Sequence, residues 1–261
     1  MGIFQNLLMA AAEAEAAATT FEIAYSCKME TEDNDYINWS PDSAGDQQKW
    51  TLSLWLRRLS TSFSYFWAYA ESGSSYYIYG IDDNAKIKME HQIEGLDFDS
   101  SNAVMSGTSD WYHMCIAVDT TQSTETSRFR WYVDGTEITS WDASVYPSKD
   151  ANISFINTTS PQQFADTTWT IGSNYYFADV NFIDGAQLAP TAFGETSGDD
   201  WIPIDPDVTY GTNGYRLEFK QTGTSQNADG LGADTSGNGN HFALVNLTGD
   251  NRSTITPTNN S

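Results

Sequence analysis

Apolar and polar positions alternate along most of the chain from residue 21 onward. FEIAYSCKM (21–29), TLSLWLRRL (51–59) and WYHMCIAVD (111–119) place apolar side chains at every second position, as a strand with one buried face does. Further short runs of this kind follow, separated by turns rich in Gly, Asp and Ser: SYYIYGI (75–81), RFRWYVDGTEI (128–138), FADVNFIDG (177–185), YRLEF (215–219) and FALVNL (242–247). With almost no helical pattern between them, these strands predict an all-β fold, an antiparallel β sandwich or jelly roll over residues 21–261.

The first twenty residues have a different pattern. Residues 3–18 consist largely of strong helix formers without Gly or Pro, and Ile3, Leu7 and Leu8 form a short apolar stripe. A helix with so little apolar bulk needs a partner surface to be stable. We therefore expect residues 1–20 to be a helical anchor that binds other proteins or sister chains.

Composition narrows the classes of function. The chain has 12 Lys and Arg against 35 Asp and Glu, a formal net charge of -23, and this excess argues against nucleic acid, whose phosphates need a basic patch. Aromatic residues make up 14%, which indicates a folded domain. The sequence contains no run of 18 apolar residues, so no membrane span is predicted. Cys27 and Cys115 lie in strand-like runs and are expected to be buried free thiols, with a disulfide between them as the alternative.

Several of these segments occur in an order that resembles a known superfamily. The segments are DNDYINW (33–39), WTLSLWLRR (50–58), WYHMCIAVD (111–119), RFRWYVDGTEI (128–138), TIGSNYYFADVNFIDGAQLAP (170–190) and DTSGNGNH (234–241). Together they resemble the concanavalin A-like lectin/glucanase superfamily in its laminin-G-like form, and the resemblance implies a concanavalin A-like β sandwich. Many such modules open with the D-S-G-N-G-N phrase, whereas here it lies near the C-terminus, as in a circularly permuted module.

A second set of phrases is similar to a module of tailed bacteriophages of marine bacteria. These phrases are FIDGAQLAPTAFGE (182–195), YGTNGYRLEF (210–219), GADTSGNGNH (232–241) and TPTNN (256–260). This resemblance implies a non-enzymatic structural protein on the outer surface of a virion: a head fibre, a capsid decoration or a tail appendage. It would bind other virion proteins through the N-terminal helix, form a homo-oligomer, with a trimer favoured, and contact host glycans. The alternatives are a carbohydrate-binding lectin whose main role is adsorption, and a glycoside hydrolase.

Aromatic residues provide the candidate glycan site. Sugar-binding surfaces use Trp and Tyr rings against C–H patches, with acidic or amide side chains for the hydroxyls. Strict alternation in FSYFWAY (63–69) would place four aromatic side chains (Phe63, Tyr65, Trp67 and Tyr69) on one face of a strand, next to those of SYYIYGI. The candidate carbohydrate-binding residues are Tyr65, Trp67, Tyr69, Tyr76 and Tyr77. The alternative for each is a place in the core or in a subunit contact.

Two loops offer oxygen ligands of the kind that calcium prefers. In the first the candidates are Asp33, Asn34 and Asp35, and in the second they are Asp234, Ser236 and Asn238. The second loop has the first half of a calcium-loop pattern but lacks its terminal Glu, because Val245 stands there. The alternative is a pair of turns in which Asp and Asn side chains bind backbone N–H groups. No cofactor is certain from the sequence, and Ca²⁺ is the ion that these ligands would suit.

Catalytic and zinc patterns are weak. Glu90 and Glu94 resemble the two outer acids of a glucanase strand, but Gln92 replaces the central acid, and a solvated strand with Ile93 pointing inward fits as well. The three histidines are scattered, so no zinc pattern is present. His113 lies in an apolar strand and is expected to be a core histidine.

Overall fold

The computed structural model describes residues 21–30, 34–165 and 174–259. The predicted anchor helix, with Ile3, Leu7 and Leu8, lies outside these residues, as does Asp33. The strands are β1 (Ser26–Glu30), β2 (Tyr36–Trp39), β3 (Lys49–Arg58), β4 (Ser64–Ser72), β5 (Ser75–Ile81), β6 (Ile87–His91), β7 (Leu96–Ser100), β8 (Tyr112–Asp119), β9 (Phe129–Val133), β10 (Thr136–Glu137), β11 (Trp141–Val145), β12 (Gln162–Phe164), β13 (Asn174–Asp184), β14 (Gly194–Ser197), β15 (Asp200–Pro203), β16 (Tyr215–Leu217), β17 (Ala243–Val245) and β18 (Arg252–Ser253). Short 3₁₀ helices occupy Glu125–Ser127, Pro190–Ala192 and Gly249–Asn251.

The strands form two eight-stranded antiparallel sheets and one small hairpin. Sheet 1 has the order β10-β9-β8-β3-β13-β1-β18, with β16 also paired to β13, and sheet 2 has the order β11-β7-β6-β5-β4-β12-β2-β17. The hairpin is β14–β15. The prediction of an all-β antiparallel sandwich is confirmed.

The C-terminal strands complete both sheets beside the N-terminal ones. β18 pairs with β1 in sheet 1, and β17 pairs with β2 in sheet 2. The loop that carries the DTSGNGNH motif therefore lies between β16 of sheet 1 and β17 of sheet 2.

The core lies between the inner faces of the two sheets and is rich in aromatic rings. Trp50 of sheet 1 and Trp67 of sheet 2 are fully buried and meet edge to face with ring centroids 5.8 Å apart. Trp131 and Phe66 make a similar contact at 6.1 Å. Each such side chain contributes about 1.5–3 kcal/mol by leaving water, so these contacts hold the sheets together and fix the register of their strands.

The outer face of sheet 1 is covered by the chain itself. Residues from the segment 185–210, including Leu188 and Phe193, pack on Cys115 and Ile183. Ile23, Trp111 and Trp201 lie in a neighbouring apolar cluster on the same side. The outward positions of sheet 2 are different, because in β6 and β7 they hold half-buried charged side chains: Lys88, Glu90, Asp97 and Asp99.

Both cysteines are buried free thiols, as expected from the sequence. Cys27 belongs to the main core, whereas Cys115 lies under the segment that covers sheet 1. Within the described part of the chain, no helix is long and apolar enough to cross a membrane.

Candidate functional site

A β-bulge decides which aromatic side chains of β4 face outward. Tyr65 pairs with Gly80 and Trp67 with Tyr79, and the register shifts between these two pairs. The extra residue reverses the alternation, so Tyr65 lies on the outer face of sheet 2 while Trp67 is fully buried in the core. The expectation that Phe63, Tyr65, Trp67 and Tyr69 share one face is therefore wrong.

Three of the five predicted glycan-binding residues belong to the core side. Trp67 and Tyr77 are 0% exposed. Tyr69 packs against the core with its ring 5.4 Å from that of Phe155. The assignment of Trp67 and Tyr77 to a surface site is corrected, because a ligand cannot reach rings that are fully buried between the sheets. Tyr69 is half-buried on that side, and its role in glycan binding stays a prediction.

The other two, Tyr65 and Tyr76, lie together in a groove on the outer face of sheet 2. The groove has a volume of about 310 Å³ and is lined by Phe63, Tyr65, Gly73, Tyr76, Ile78, Lys88 and Glu90. We call it the tyrosine groove. Its volume is at the small end of the range of about 300–1,000 Å³ for ligand pockets, which suits one or two sugar rings.

The floor of the groove is apolar and is ordered by ring contacts. Phe63 meets Tyr65 edge to face at 5.0 Å, and Tyr65 is only 8% exposed. The Tyr65 ring lies over Gly80, where an added Cβ would be 2.9 Å from Cδ1 of Tyr65. Phe63 and Tyr76 are only partly buried, so they offer the aromatic surface that a ligand can touch.

The rim of the groove carries polar groups with defined partners. Tyr76 donates its hydroxyl hydrogen to Oε2 of Glu90 at 2.9 Å. Burial and this carboxylate raise the pKa of Tyr76 to about 12, so the phenol remains a donor at neutral pH. Lys88 Nζ lies 3.1 Å from Oδ1 of Asp99 and 3.5 Å from Oε1 of Glu90.

Asp97 adds a further negative charge beside this rim. It stands opposite Glu90 in the β6–β7 register, and its Oδ1 is buried without a hydrogen-bond partner among the described residues. Burial raises the pKa of Asp97. A ligand hydroxyl in the groove would meet the Glu90 carboxylate beside an aromatic floor, the combination used to bind sugars.

Glu90 and Glu94, the weak match to a glucanase strand, are not brought together at this groove. β6 ends at His91, and in the turn that follows Glu94 accepts a hydrogen bond from the Ser154 N–H at 2.8 Å. Ile93, expected to point inward, is 52% exposed. Because the strand ends before residue 92, alternation cannot place Glu94 on the face of Glu90, and the expectation that Ile93 points inward is wrong.

Asp234 organises the second candidate calcium loop. Its carboxylate accepts hydrogen bonds from the backbone N–H groups of Arg216, Ser236 and Asn240 and from the Ser236 hydroxyl, at 2.8–3.0 Å. Asn238 donates to the carbonyls of Gly211 and Gly214 at 2.6 and 2.9 Å. These contacts are those of a structural turn that fastens the loop to the start of β16.

The first candidate calcium loop also has a structural use for its acid. Asp35 is buried, and its Oδ2 accepts hydrogen bonds from the Glu30 N–H at 3.3 Å and the Asn251 amide at 3.2 Å. Asn34 precedes it with a positive φ of 53°. Across residues 21–30, 34–165 and 174–259, no group of three or more His, Cys, Asp or Glu is placed to hold a metal ion. Calcium binding at either loop stays a prediction.

His113 is a core histidine, as predicted. It is fully buried, and burial lowers its pKa to about 3. Its Nδ1 lies 3.0 Å from Nε1 of Trp201, and its Nε2 lies 2.8 Å from Oγ of Ser53. An indole N–H can only donate, so Nδ1 is the acceptor and Nε2 carries the hydrogen that binds Ser53.

Comparison with known proteins identifies the superfamily. The profile described as the concanavalin A-like lectin/glucanases superfamily matches residues 31–186, which is more than half of the chain. The chain belongs to this superfamily. The sequence has no significant match among curated proteins.

Solved structures of the superfamily type resemble the chain only distantly. The native heptameric SAP-like pentraxin from Limulus polyphemus is 10% identical, with a TM-score of 0.45 over 65% of this chain and 80% of that one. Domains LG4-5 of the mouse laminin alpha1 chain are 11% identical, with a TM-score of 0.43 over 76% of this chain and 47% of that one. The CBM40 of the Ruminococcus gnavus IT-sialidase, bound to alpha2,3 sialyllactose, is 10% identical, with a TM-score of 0.37 over 61% of this chain and 89% of that one. At these values the similarities carry no argument about activity.

Proposed function

We propose that this lectin-like domain binds neutral glycans in the tyrosine groove and performs no chemistry on them. The observation that carries the proposal is the groove itself, in which the partly exposed rings of Phe63 and Tyr76 lie beside the carboxylate of Glu90. An aromatic face packs against the C–H side of a sugar ring, while carboxylates accept hydrogen bonds from its hydroxyls.

The charges around the groove favour a neutral ligand over an acidic one. Lys88 is the cation of the rim, and it is already paired with Asp99 and Glu90. Asp97 adds a third carboxylate beside Lys88. A sialylated or sulfated glycan would therefore meet an excess of negative charge, and repulsion at this distance opposes binding.

The biological setting that we propose is the outer surface of a bacteriophage virion, where the domain is a structural protein of a head fibre, a capsid decoration or a tail appendage. The phrases at residues 182–195, 210–219 and 232–241 support this setting by resemblance. The net charge of -23 suits a solvent-facing coat, because like charges keep particles apart. Residues 1–20 would attach the domain to other virion proteins and assemble it as a homotrimer.

Glycan binding is tested with the full chain on an array of neutral and acidic glycans, followed by calorimetry on the best ligand. We expect Tyr76→Ala and Phe63→Ala each to weaken binding about tenfold, which corresponds to about 1.4 kcal/mol. Tyr176→Ala is the matched control, because Tyr176 is a partly exposed ring of sheet 1 and not of the groove. Folding of every variant is checked by circular dichroism.

Three results would contradict the proposal in different ways. A folded protein that binds no neutral glycan refutes the groove as a sugar site. Binding restricted to acidic glycans refutes the charge argument. Hydrolysis of a bound glycan, lost in Glu90→Gln, refutes the absence of chemistry.

The virion setting has its own test. Mass spectrometry of purified particles should detect the protein in a fixed ratio to the capsid protein, and light scattering of the isolated chain should give the mass of a trimer. Absence from particles would overturn the structural role while leaving the glycan result intact.

A further inference from the structure

A second cavity lies over sheet 1, on the side of the sandwich opposite the tyrosine groove. It has a volume of about 510 Å³ and lies between the β14–β15 hairpin and the turn that joins β9 to β10. Its walls carry two indoles, Trp111 and Trp201, and three carboxylates, Asp134, Asp199 and Asp200. We call it the tryptophan cavity. Two threonine side chains complete the lining, so no Lys or Arg among its lining residues balances the three acids.

Trp201 is held firmly in place. Its Nε1 donates to Nδ1 of His113 at 3.0 Å, and its ring stacks on that imidazole at 5.9 Å with an interplanar angle of 27°. The ring also lies over Gly135 and Gly194, where an added Cβ would be 2.5 Å from it. The indole is thus positioned before any ligand arrives, which lowers the entropy lost on binding.

The carboxylate of Asp134 lies in a partly buried position in the wall of this cavity. Its Oδ1 accepts a hydrogen bond from the His113 N–H at 2.7 Å, and the residue has a positive φ of 47°. Burial raises the pKa of Asp134 to about 6, so the carboxylate is still ionised at neutral pH, although its surroundings oppose the charge. A charge maintained against its surroundings inside a cavity is a common feature of binding sites.

We propose that the tryptophan cavity binds an organic cation, a protonated or quaternary amine, between Trp111 and Trp201 with the three aspartates as counter-charges. The face of an indole attracts a cation through its quadrupole, and carboxylates add direct charge pairing. A metal ion fits less well, because calcium prefers a shell made of oxygens and gains nothing from two indoles. A neutral sugar could donate hydrogen bonds to the aspartates, but only a cation would also balance their negative charge, for which the lining holds no Lys or Arg. The proposal does not depend on the tyrosine groove.

The direct test uses tetramethylammonium as the probe and tert-butanol as a neutral compound of similar shape. The full chain is labelled with ¹⁵N in its nine tryptophans, and the indole N–H signals are followed by NMR during titration. We expect tetramethylammonium to shift the signals of Trp111 and Trp201 selectively, with a Kd of about 1 mM. We expect tert-butanol to leave them unchanged.

Substitutions separate charge recognition from folding. Asp134→Asn should weaken binding of tetramethylammonium about fivefold, and Asp199→Asn and Asp200→Asn about twofold each, because these two side chains are exposed. Because both of these side chains are exposed, their variants keep the test informative if Asp134→Asn alters the turn. Asp83→Asn, an exposed aspartate in the β5–β6 turn, makes the same change in net charge and should not alter the affinity.

Several results would overturn the proposal. Equal binding of tert-butanol would show that the cavity is only apolar. Tight binding of Ca²⁺ without binding of tetramethylammonium would show a metal site. Signal shifts spread over all the tryptophans, or an unchanged affinity in the three aspartate variants, would show binding elsewhere.

Discussion

Asp134 gives the sharpest test of the electrostatic reasoning, because the structure predicts that removing its charge stabilises the protein. In the substitution Asp134→Asn, an amide replaces the carboxylate at almost the same size. The amide oxygen can still accept the hydrogen bond of the His113 N–H, and Asn tolerates the positive φ of 47° at this position. The main change is therefore the loss of a charge that its surroundings oppose.

The size of the effect follows from the pKa. Burial raises the pKa of Asp134 from 3.8 to about 6 in the folded state, so the folded protein holds this proton more tightly than the unfolded chain. The free energy of unfolding is therefore highest below about pH 4, where Asp134 is protonated in both states. It decreases as the pH rises from about 4 to about 6, because the carboxyl then ionises more easily in the unfolded chain than in the folded protein. Two pKa units correspond to about 3 kcal/mol, and partial exposure reduces this to about 1–2 kcal/mol.

We expect Asp134→Asn to be about 1–2 kcal/mol more stable than the native protein at pH 7 and about equally stable at pH 4. Urea unfolding followed by far-UV circular dichroism at several pH values measures this difference, in which the other titrating groups cancel. Asp83→Asn controls for net charge and should track the native protein throughout. A variant less stable than the native protein at pH 7, or one whose advantage persists unchanged at pH 4, would refute the reasoning.

Three further substitutions or reactions test other parts of the structure. Asp234→Ala should lower the free energy of unfolding by about 2–4 kcal/mol in urea titrations, because three backbone N–H groups and one hydroxyl lose the carboxylate that accepts their hydrogen bonds. A loss below about 0.5 kcal/mol would contradict the structural role of this turn. Arg216→Ala should lower the free energy of unfolding by about 3–5 kcal/mol in the same assay, because it leaves the buried Asp179 carboxylate, 2.7 Å away, without its partner. The double variant with Asp179→Asn should recover part of this stability, and no recovery would contradict the explanation. Cys27 and Cys115 should not react with a thiol reagent at pH 8 until urea unfolds the chain, because burial raises the pKa of both thiols. Rapid reaction in the native protein would contradict their burial.

The fold could be predicted from the sequence because most strands obey a simple alternation. In β8 the inward and outward residues follow the sequence pattern without interruption, and its eight paired positions with β3 keep one register. His113 was assigned to the core on this basis, and the structure agrees. Alternation says nothing about the order of the strands within the sheets, and the family resemblance implied only the type of sandwich.

The details of the groove could not be predicted, because they depend on local breaks in that alternation. FSYFWAY has aromatic side chains at odd-numbered and even-numbered positions. One extra residue in a β-bulge therefore changes which of them point into the core and which point outward. The strand containing Glu90 was extended too far, to Glu94, for a related reason. No Gly or Pro between residues 87 and 94 marks the point at which β6 ends. The alternation of β5, in contrast, does separate Tyr76 and Ile78 from Tyr77 and Tyr79, and this signal could have located the floor of the groove.

The tryptophan cavity is of a kind that pattern analysis cannot find. Trp111, Asp134 and Trp201 are far apart in the sequence and meet only because the β14–β15 hairpin folds back over sheet 1. The only hint is that each tryptophan directly follows an aspartate, at residues 110–111 and 200–201. Spacing carries no information about such a contact between loops.

The two proposed sites differ in what holds them together, and this difference has a consequence for function. The tyrosine groove is formed by side chains on adjacent strands of sheet 2, so its geometry is set by the register of the core. The tryptophan cavity is formed by a segment that packs on the outside of sheet 1, so it can change without disturbing the sandwich. Because two packed sheets lie about 10 Å apart with the core between them, ligands on the two outer faces cannot touch. The two proposed ligands, a glycan on one face and a cationic group on the other, would therefore bind independently, and saturation with one should leave the affinity for the other unchanged.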